Sequence, residues 1–246
     1  MIPRIPTGIA FLDRDLGGFY RQRIYVLCGG DDSAKRILAA HFLRAGLETG
    51  ESCLWMAPEK MGDRLIALGS AGFGFSDYLQ SGTFTCAEYH APRAGLTGSF
   101  QKELDAAGAD IVARGVERLV IDSAQVLFAN EPKRCRPDCV SAFARFCEKL
   151  HTSTLLLLDT PAGPQANALK DLLVDQATGA FALAEAQDDD ERNFLRMTTE
   201  KLVGQDGLPA WDFEIVAGNR ISLISKEDLG RAWMRAGGHG AAPPLN

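Results

Sequence analysis

The sequence predicts an α/β fold with a mainly parallel central sheet, and three observations support this class. Short apolar runs alternate with longer amphipathic stretches, which is typical of repeated β-α-β units. Two runs, at residues 118–122 and 154–159, are apolar until they end in an aspartate, as expected for strands buried on both faces. Beyond residue 159 the pattern changes to paired strands around polar turns, which indicates added antiparallel hairpins.

The elements follow from this pattern in chain order. Strands are predicted at residues 24–28, 53–57, 83–87, 118–122 and 154–159. Helices are predicted between them at residues 34–48, 59–71, 99–114 and 138–151. Two hairpins follow, with strands at residues 177–184 and 194–200, then 211–216 and 220–224. We expect these four strands to extend the C-terminal edge of the parallel sheet.

Domain organisation follows from the absence of any linker or internal repeat in the sequence. We expect a single domain over residues 1–236 and a flexible tail over residues 237–246, where apolar periodicity is missing. The chain has 246 residues, of which 46% are hydrophobic and 24% charged, as is ordinary for a globular protein. No apolar run is as long as a membrane span, which needs about 20 residues, so we expect no membrane insertion. No segment resembles a signal peptide, so we expect a cytoplasmic protein.

Charge and cysteine content exclude further classes of function. The net charge of −6 makes nucleic acid an unlikely partner, although Arg93, Lys133, Arg134 and Arg136 are local basic candidates. A zinc site is not expected, because Cys139 and Cys147 would lie about 12 Å apart along a helix axis. Cys135 is close in sequence, but only Cys147 and His151, four residues apart, could share an ion, so we interpret the six cysteines as reduced thiols.

The most informative segment lies between the first predicted strand and helix, where a phosphate-binding loop would lie. In such a loop, glycines let backbone N–H groups turn inward, a lysine reaches the phosphates, and a serine or threonine binds magnesium. Against the pattern G-x4-G-K-[ST], Gly29 and Lys35 match. Ala34 replaces the second glycine, and Arg36 replaces the hydroxyl residue, although its guanidinium could substitute as a charge partner.

The residues inside this loop also bear on its chemistry. Gly30 and Ser33 are compatible with phosphate binding, whereas the carboxylates of Asp31 and Asp32 would repel a triphosphate. The alternative interpretation is a plain strand–turn–helix junction in which Ser33 caps the helix.

Segments in a fixed order resemble the KaiC-like branch of the RecA superfamily. They are I-P-T-G-I-A-F-L-D at residues 5–13, L-G-G at 16–18, H-F-L-R-A-G at 41–46, L-W-M-A-P-E at 54–59, L-V-I-D-S at 119–123, L-L-V-D at 172–175 and K-L-V-G at 201–204. The resemblance spans about residues 4–224. It implies a RecA-like three-layer α/β/α fold, ATP and magnesium as cofactors, and ring-like homo-oligomers.

The resemblance also implies roles for single residues. Asp122 matches the acid that positions magnesium, and Glu59 matches the second of two glutamates that activate the attacking water. Lys201 matches a lysine that reaches the nucleotide of a neighbouring subunit. The candidate cofactor-binding residues are therefore Gly29, Gly30, Ser33, Ala34, Lys35, Arg36 and Lys201.

The sequence departs from the family pattern at several of the positions on which hydrolysis depends. Besides the changes at Ala34 and Arg36, Pro58 stands in place of the first glutamate and Val203 in place of an arginine. Phosphoryl transfer relies on positioning and charge neutralisation, so such losses compound. The sequence favours a regulatory or scaffolding pseudo-ATPase that acts through oligomer or partner contacts, with weak or no hydrolysis. The alternatives are an active ATPase with compensating residues and a RecA-like DNA-binding protein.

Overall fold

A nine-stranded mixed sheet forms the centre of the computed structural model, which describes residues 2–58, 60–70, 72–90, 99–130, 136–188, 191–204 and 207–224. The strands are β1 (Arg4–Ile5), β2 (Phe19–Tyr20), β3 (Ile24–Gly29), β4 (Cys53–Ala57), β5 (Phe84–Glu88), β6 (Arg118–Ile121), β7 (Ser153–Asp159), β8 (Gly179–Gln187), β9 (Asn193–Leu202), β10 (Ala210–Val216) and β11 (Arg220–Leu223). The helices are α1 (Ala10–Leu16), α2 (Asp32–Glu48), α3 (Met61–Ser70), α4 (Ser76–Ser81), α5 (Ser99–Ala113), α6 (Arg136–Leu150) and α7 (Pro164–Gln176), and Ala124–Phe128 form a 3₁₀ helix.

The strand order places β3 in the middle of the sheet. The order is β11-β10-β9-β8-β3-β7-β6-β4-β5, and β1 and β2 form a separate two-stranded sheet. The six strands from β3 to β8 pair with one another in parallel. At one edge, β9 pairs antiparallel with β8, β10 with β9, and β11 with β10. The predicted α/β class, with a mainly parallel sheet and antiparallel hairpins at its C-terminal edge, is confirmed.

Two hydrophobic clusters cover the two faces of the sheet. Along β3, Tyr25 and Leu27 belong to one cluster and Val26 and Cys28 to the other, because successive side chains of a strand point to opposite faces. The first cluster packs against α2, and the second packs against α5, α6 and α7. The sheet is thus the middle of three layers, and its central strand leads directly into α2.

Several elements lie outside the sequence predictions. The strands β1 and β2 and the helices α1, α4 and α7 were not predicted, whereas the predicted strands differ from the observed ones by only a few residues at their ends. The tail predicted at 237–246 lies outside the described residues. No helix in the described part of the chain is both long and apolar enough to cross a membrane.

A buried ion pair connects the sheet to α2 and to the N-terminal segment. Arg118, on β6, is 0% exposed, and its Nη1 donates to the carbonyl oxygens of Pro6 and Phe42, each at 2.7 Å. Its Nε donates to the buried carboxylate of Glu51, which also pairs with Arg21. A buried charge is strongly unfavourable without a partner, so the fold depends on this contact.

We expect Glu51→Gln to lower the free energy of unfolding by about 3–5 kcal/mol, because it leaves the Arg118 charge buried and uncompensated. Urea unfolding at pH 7 measures this loss. The matched control is Glu48→Gln, which removes a carboxylate that pairs with Arg44 at 2.8 Å but is 54% exposed. The control should change the free energy by no more than about 0.5 kcal/mol. Equal losses in the two variants would contradict the role assigned to the buried pair.

Candidate functional site

The junction between β3 and α2 lies at the carboxyl end of the central strand. Only Gly30 and Asp31 separate the two elements. Asp31 is the N-cap of α2, and its carboxylate accepts a hydrogen bond from the Ala34 N–H at 3.0 Å. The prediction of Ser33 as the cap is wrong, because the helix begins two residues before the predicted start and leaves Ser33 exposed within its first turn.

Gly29 occupies its position for a packing reason. A Cβ on this residue would lie 2.5 Å from the carbonyl oxygen of Leu183 on the neighbouring strand β8. A real side chain at this distance would push the two strands apart, so the close approach of the backbones requires glycine. Gly29 therefore has a structural role in the β3–β8 pairing, whether or not a phosphate binds. Gly30 is exposed and Ala34 is buried.

Lys35, the lysine of the predicted phosphate loop, is only 2% exposed. Its Nζ lies 2.8 Å from a carboxylate oxygen of Asp32 and 3.0 Å from one of Asp159, and it donates to the carbonyl oxygen of Leu158 at 2.9 Å. An ammonium has three N–H donors, so these three partners account for all of them. The hydrogen bond from Lys35 also lowers the pKa of Asp32 below its ordinary value of 3.8.

Arg36 forms an ion pair with Asp122. The Arg36 Nε donates to Asp122 Oδ2 at 3.1 Å, and Asp122 lies buried just beyond the end of β6. Arg36 stands where a P-loop has its magnesium-binding hydroxyl residue. It pairs with Asp122, to which the resemblance assigns the positioning of magnesium. The end of β6 is held by Tyr89, whose hydroxyl lies 2.5 Å from the Asp122 carbonyl oxygen and 2.9 Å from that of Ser123. Ser123 has a left-handed backbone, with φ of 55°.

Asp159 is a site residue that the sequence interpretation did not include. It ends β7, directly beside Gly29 in the parallel pairing with β3. One carboxylate oxygen binds Lys35, and the other accepts a hydrogen bond from Gln125. The sequence holds the same signal for Asp159 as for Asp122, because both central apolar strands end in an aspartate.

Two further predicted residues lie outside this cluster. Lys201 pairs in register with Ala180 on β8, near the amino-terminal ends of the parallel strands and away from Gly29. Its Nζ donates to the carbonyl oxygens of Val174 at 3.1 Å and Asp175 at 2.6 Å, at the C-terminal end of α7. Glu59, the predicted catalytic residue, lies outside the described residues, as do Arg93, Lys133, Arg134 and Cys135.

Comparison with known proteins decides the family. A family described as "ATPase: KaiC" matches residues 5–221, which is most of the chain. The chain belongs to the KaiC family. The predicted resemblance to KaiC-like proteins of the RecA superfamily is confirmed.

Individual proteins are also similar to this chain. A UPF0273 protein of Pyrococcus furiosus is 28% identical over 150 residues, which cover 55% of this chain and 60% of that protein. A UPF0273 protein of Aeropyrum pernix is 26% identical over 172 residues, which cover 64% and 68% respectively. In the first of these matches the chain spans only 60% of the relative's length. The crystal structure of a KaiC-like protein from Pyrococcus horikoshii superposes with a TM-score of 0.74 at 19% identity, over 92% of this chain and 100% of that one, which shows a shared fold.

The residues at this junction do not fit a magnesium–triphosphate in the way a G-x4-G-K-[ST] loop would hold one. The helix N-terminus and Lys35 are engaged by Asp31, Asp32 and Asp159, so a triphosphate would meet three carboxylates. The guanidinium of Arg36 occupies the Asp122 carboxylate, where a magnesium ion would need a free oxygen ligand. In the described ranges, no group of three or more His, Cys, Asp or Glu side chains is arranged to bind a metal ion.

We expect Lys35→Met to raise the pKa of Asp32, because the ammonium that stabilises its charged form is removed. Carboxyl carbon NMR titration measures this change. Asp15 provides an internal control, because hydrogen bonds from Arg14 and the Trp211 indole lower its pKa to about 2, independently of Lys35.

A second variant controls for the loss of a lysine as such. Lys170→Met removes a lysine that pairs with Glu200 at 2.5 Å and is not among the groups that shift the pKa of Asp32. It should leave the pKa of Asp32 unchanged. An Asp32 pKa that is the same in Lys35→Met and in the unmodified protein would show that the pair does not form in solution.

Proposed function

We propose that this chain is a KaiC-family domain that does not hydrolyse ATP at an appreciable rate and acts through contacts with partner proteins or copies of itself. The observation that carries the proposal is that both basic residues of the phosphate loop, Lys35 and Arg36, are neutralised by carboxylates of the same chain. In an active site the loop lysine must be available to the phosphates, and the acid that Asp122 matches must be available to magnesium.

The first step of the argument concerns the phosphates. A phosphate loop binds its ligand with inward-pointing N–H groups and with the positive end of a helix. Here the N–H of Ala34 is bound by Asp31, and Asp32 already lies in the helix, so only two residues are left to form a loop. ATP would have to displace Lys35 from its carboxylate partners and would then lie close to them. Both effects oppose binding.

The second step concerns magnesium. In a P-loop site the ion is held by a Ser or Thr hydroxyl and, in many proteins, by an acid at the end of a neighbouring strand. The guanidinium of Arg36 places a positive charge beside that acid, Asp122. It thereby compensates the negative charge that a magnesium ion would otherwise compensate. Arginine carries no lone pair with which to ligate a metal. The proposed state of the site is therefore an internal ion pair in place of a metal.

The third step concerns contacts. Lys201 binds the end of α7 in its own chain, so this arrangement does not leave it extended toward another subunit. Val203 and Leu208, in the connection between β9 and β10, are 54% and 55% exposed. We assign these two exposed apolar side chains to the proposed contact with another protein. The family match over residues 5–221 supports the proposal that residues 1–236 act as one domain.

Rebuilding the loop tests the proposal directly. The triple variant Asp32→Ser, Ala34→Gly and Arg36→Thr restores the pattern G-x4-G-K-T and removes one carboxylate from Lys35. We expect isothermal titration to detect binding of Mg-ATP to this variant but not to the unmodified protein. Phosphate release by the unmodified protein should be at least about a hundredfold slower than by an intact family member, because several contributing groups are absent.

Arg44→Thr is the control for the Arg36→Thr substitution, because it also replaces an arginine by threonine, at an exposed position of the same helix. It should gain no binding of Mg-ATP. Turnover by the unmodified protein that is abolished by Lys35→Ala would contradict the proposal and favour the active ATPase with compensating residues. Tight binding of single-stranded DNA at low salt would instead favour the RecA-like DNA-binding alternative.

Self-association provides a second test. Because the proposed contacts do not use nucleotide, we expect analytical ultracentrifugation to detect species larger than the 26.6 kDa chain whose mass does not change with Mg-ATP. Leu208→Asp should weaken this assembly at least about tenfold, because it places a charge in an apolar contact. Ile66→Asp makes the matched change at another exposed apolar residue, on α3, and should leave the assembly unchanged because the proposed contact lies between β9 and β10. An assembly that forms only with ATP would contradict the proposed mode of action.

A further inference from the structure

An apolar cavity of about 190 Å³ lies on the face of the sheet covered by α5 and α6, on the opposite face from α2. Its walls come from both helices and from the sheet. The lining side chains include Phe100, Leu104, Ile111, Ile121, Phe143 and Phe146. None of these residues belongs to the β3–α2 junction, so the cavity is a separate feature of the molecule.

The chemistry of the walls determines what the cavity can hold. Protein interiors are close-packed and contain few voids larger than a water molecule. A water molecule in a cavity lined by phenyl rings and aliphatic chains would lack the two to four polar partners it needs, so such cavities stay dry. In another protein, an engineered apolar cavity of about 150 Å³ binds benzene. A single aromatic ring therefore matches this cavity in both size and polarity.

Among the described residues that line the cavity, Tyr89 and His90 carry polar side chains, and the two differ in availability. Tyr89 lines it, but its hydroxyl is engaged by the carbonyl oxygens of Asp122 and Ser123. His90 also lines it and is exposed, so its imidazole lies where the cavity meets solvent. We propose that the cavity binds a small molecule with one aromatic ring, whose polar substituent faces His90.

Tyr89 gives the cavity a connection to the loop site. Its ring forms part of the wall, and its hydroxyl holds the backbone at the end of β6, where Asp122 pairs with Arg36. The binding itself does not depend on whether the loop takes nucleotide, so its test is independent of the proposed function.

Methyl NMR with phenol and toluene as probes tests the proposal on the full chain. Met56 lines the cavity, whereas Met197 is buried in the cluster on the other face of the sheet. With protein carrying ¹³C-methyl methionine, both probes should shift the Met56 methyl resonance in a saturable way and leave that of Met197 unchanged. No saturable shift of Met56 with either probe would overturn the proposal.

Filling the cavity provides the matched comparison. Ala107→Leu places three more carbons at a residue that lines the cavity, whereas Ala106→Leu makes the same change at its exposed neighbour on α5. The first variant should weaken binding at least about tenfold, and the second should bind both probes like the unmodified protein. Ala107→Met, with a more flexible side chain, serves if Ala107→Leu does not fold. Unchanged binding in the folded filling variant would overturn the assignment of the site.

The role of His90 is tested separately with His90→Ala. This variant should weaken the binding of phenol several-fold and leave that of toluene unchanged, because only phenol carries a polar group. An equal effect on the two probes, or no effect on either, would overturn the orientation that places the polar substituent at His90.

Discussion

The buried guanidinium of Arg118 is the constraint on which the arrangement of the layers depends. A charge removed from water must find its partners inside the protein, and Arg118 finds them in three separate segments. Pro6 belongs to the N-terminal segment, Phe42 to α2, and Glu51 to the turn before β4. All three segments must be in place before these contacts form, so one residue of β6 couples the N-terminal segment and α2 to the sheet. The ring of Phe42 adds a cation–π contact at 4.9 Å.

The other end of α2 is fixed by the same kind of interaction, at the opposite end of the sheet. There the buried cation is Lys35, and its partners are Asp32, Asp159 and the backbone of β7. Arg36 forms a further ion pair with Asp122, just beyond the end of β6, which is the strand next to β7. A helix N-terminus ordinarily attracts an anion from outside, but here the chain supplies its own carboxylates. The interactions that stabilise the position of α2 are therefore the ones that oppose binding of a triphosphate.

The sequence predicts the continuous apolar elements of this fold well and the short or weakly periodic ones poorly. The prediction for β4 matches its observed ends, because apolar residues and flanking turns mark both of them. The helix α7 has only Leu169 and Leu173 buried, so it has little periodicity, although Pro164 at its first turn was an available signal. Asp159 could not be joined to Lys35 from sequence, because they lie 124 positions apart and meet only through the pairing of β7 with β3.

The motif residues that carry the family resemblance divide into two kinds, those that pack the fold and those that a P-loop uses for its ligand. In the T-G segment, Asp13 accepts hydrogen bonds from Thr7 N at 2.7 Å and Gly8 N at 3.0 Å, which fixes the turn before α1. A Cβ on Gly8 would lie 2.5 Å from the carbonyl oxygen of His41 on α2. These residues are required for packing, with or without a nucleotide. Ala34 and Arg36 replace residues that the resemblance assigns to phosphate and magnesium, and in this chain Ala34 packs in the core and Arg36 pairs with Asp122. A family match that rests largely on the first kind therefore indicates architecture more strongly than catalysis, and activity must be judged from the loop itself.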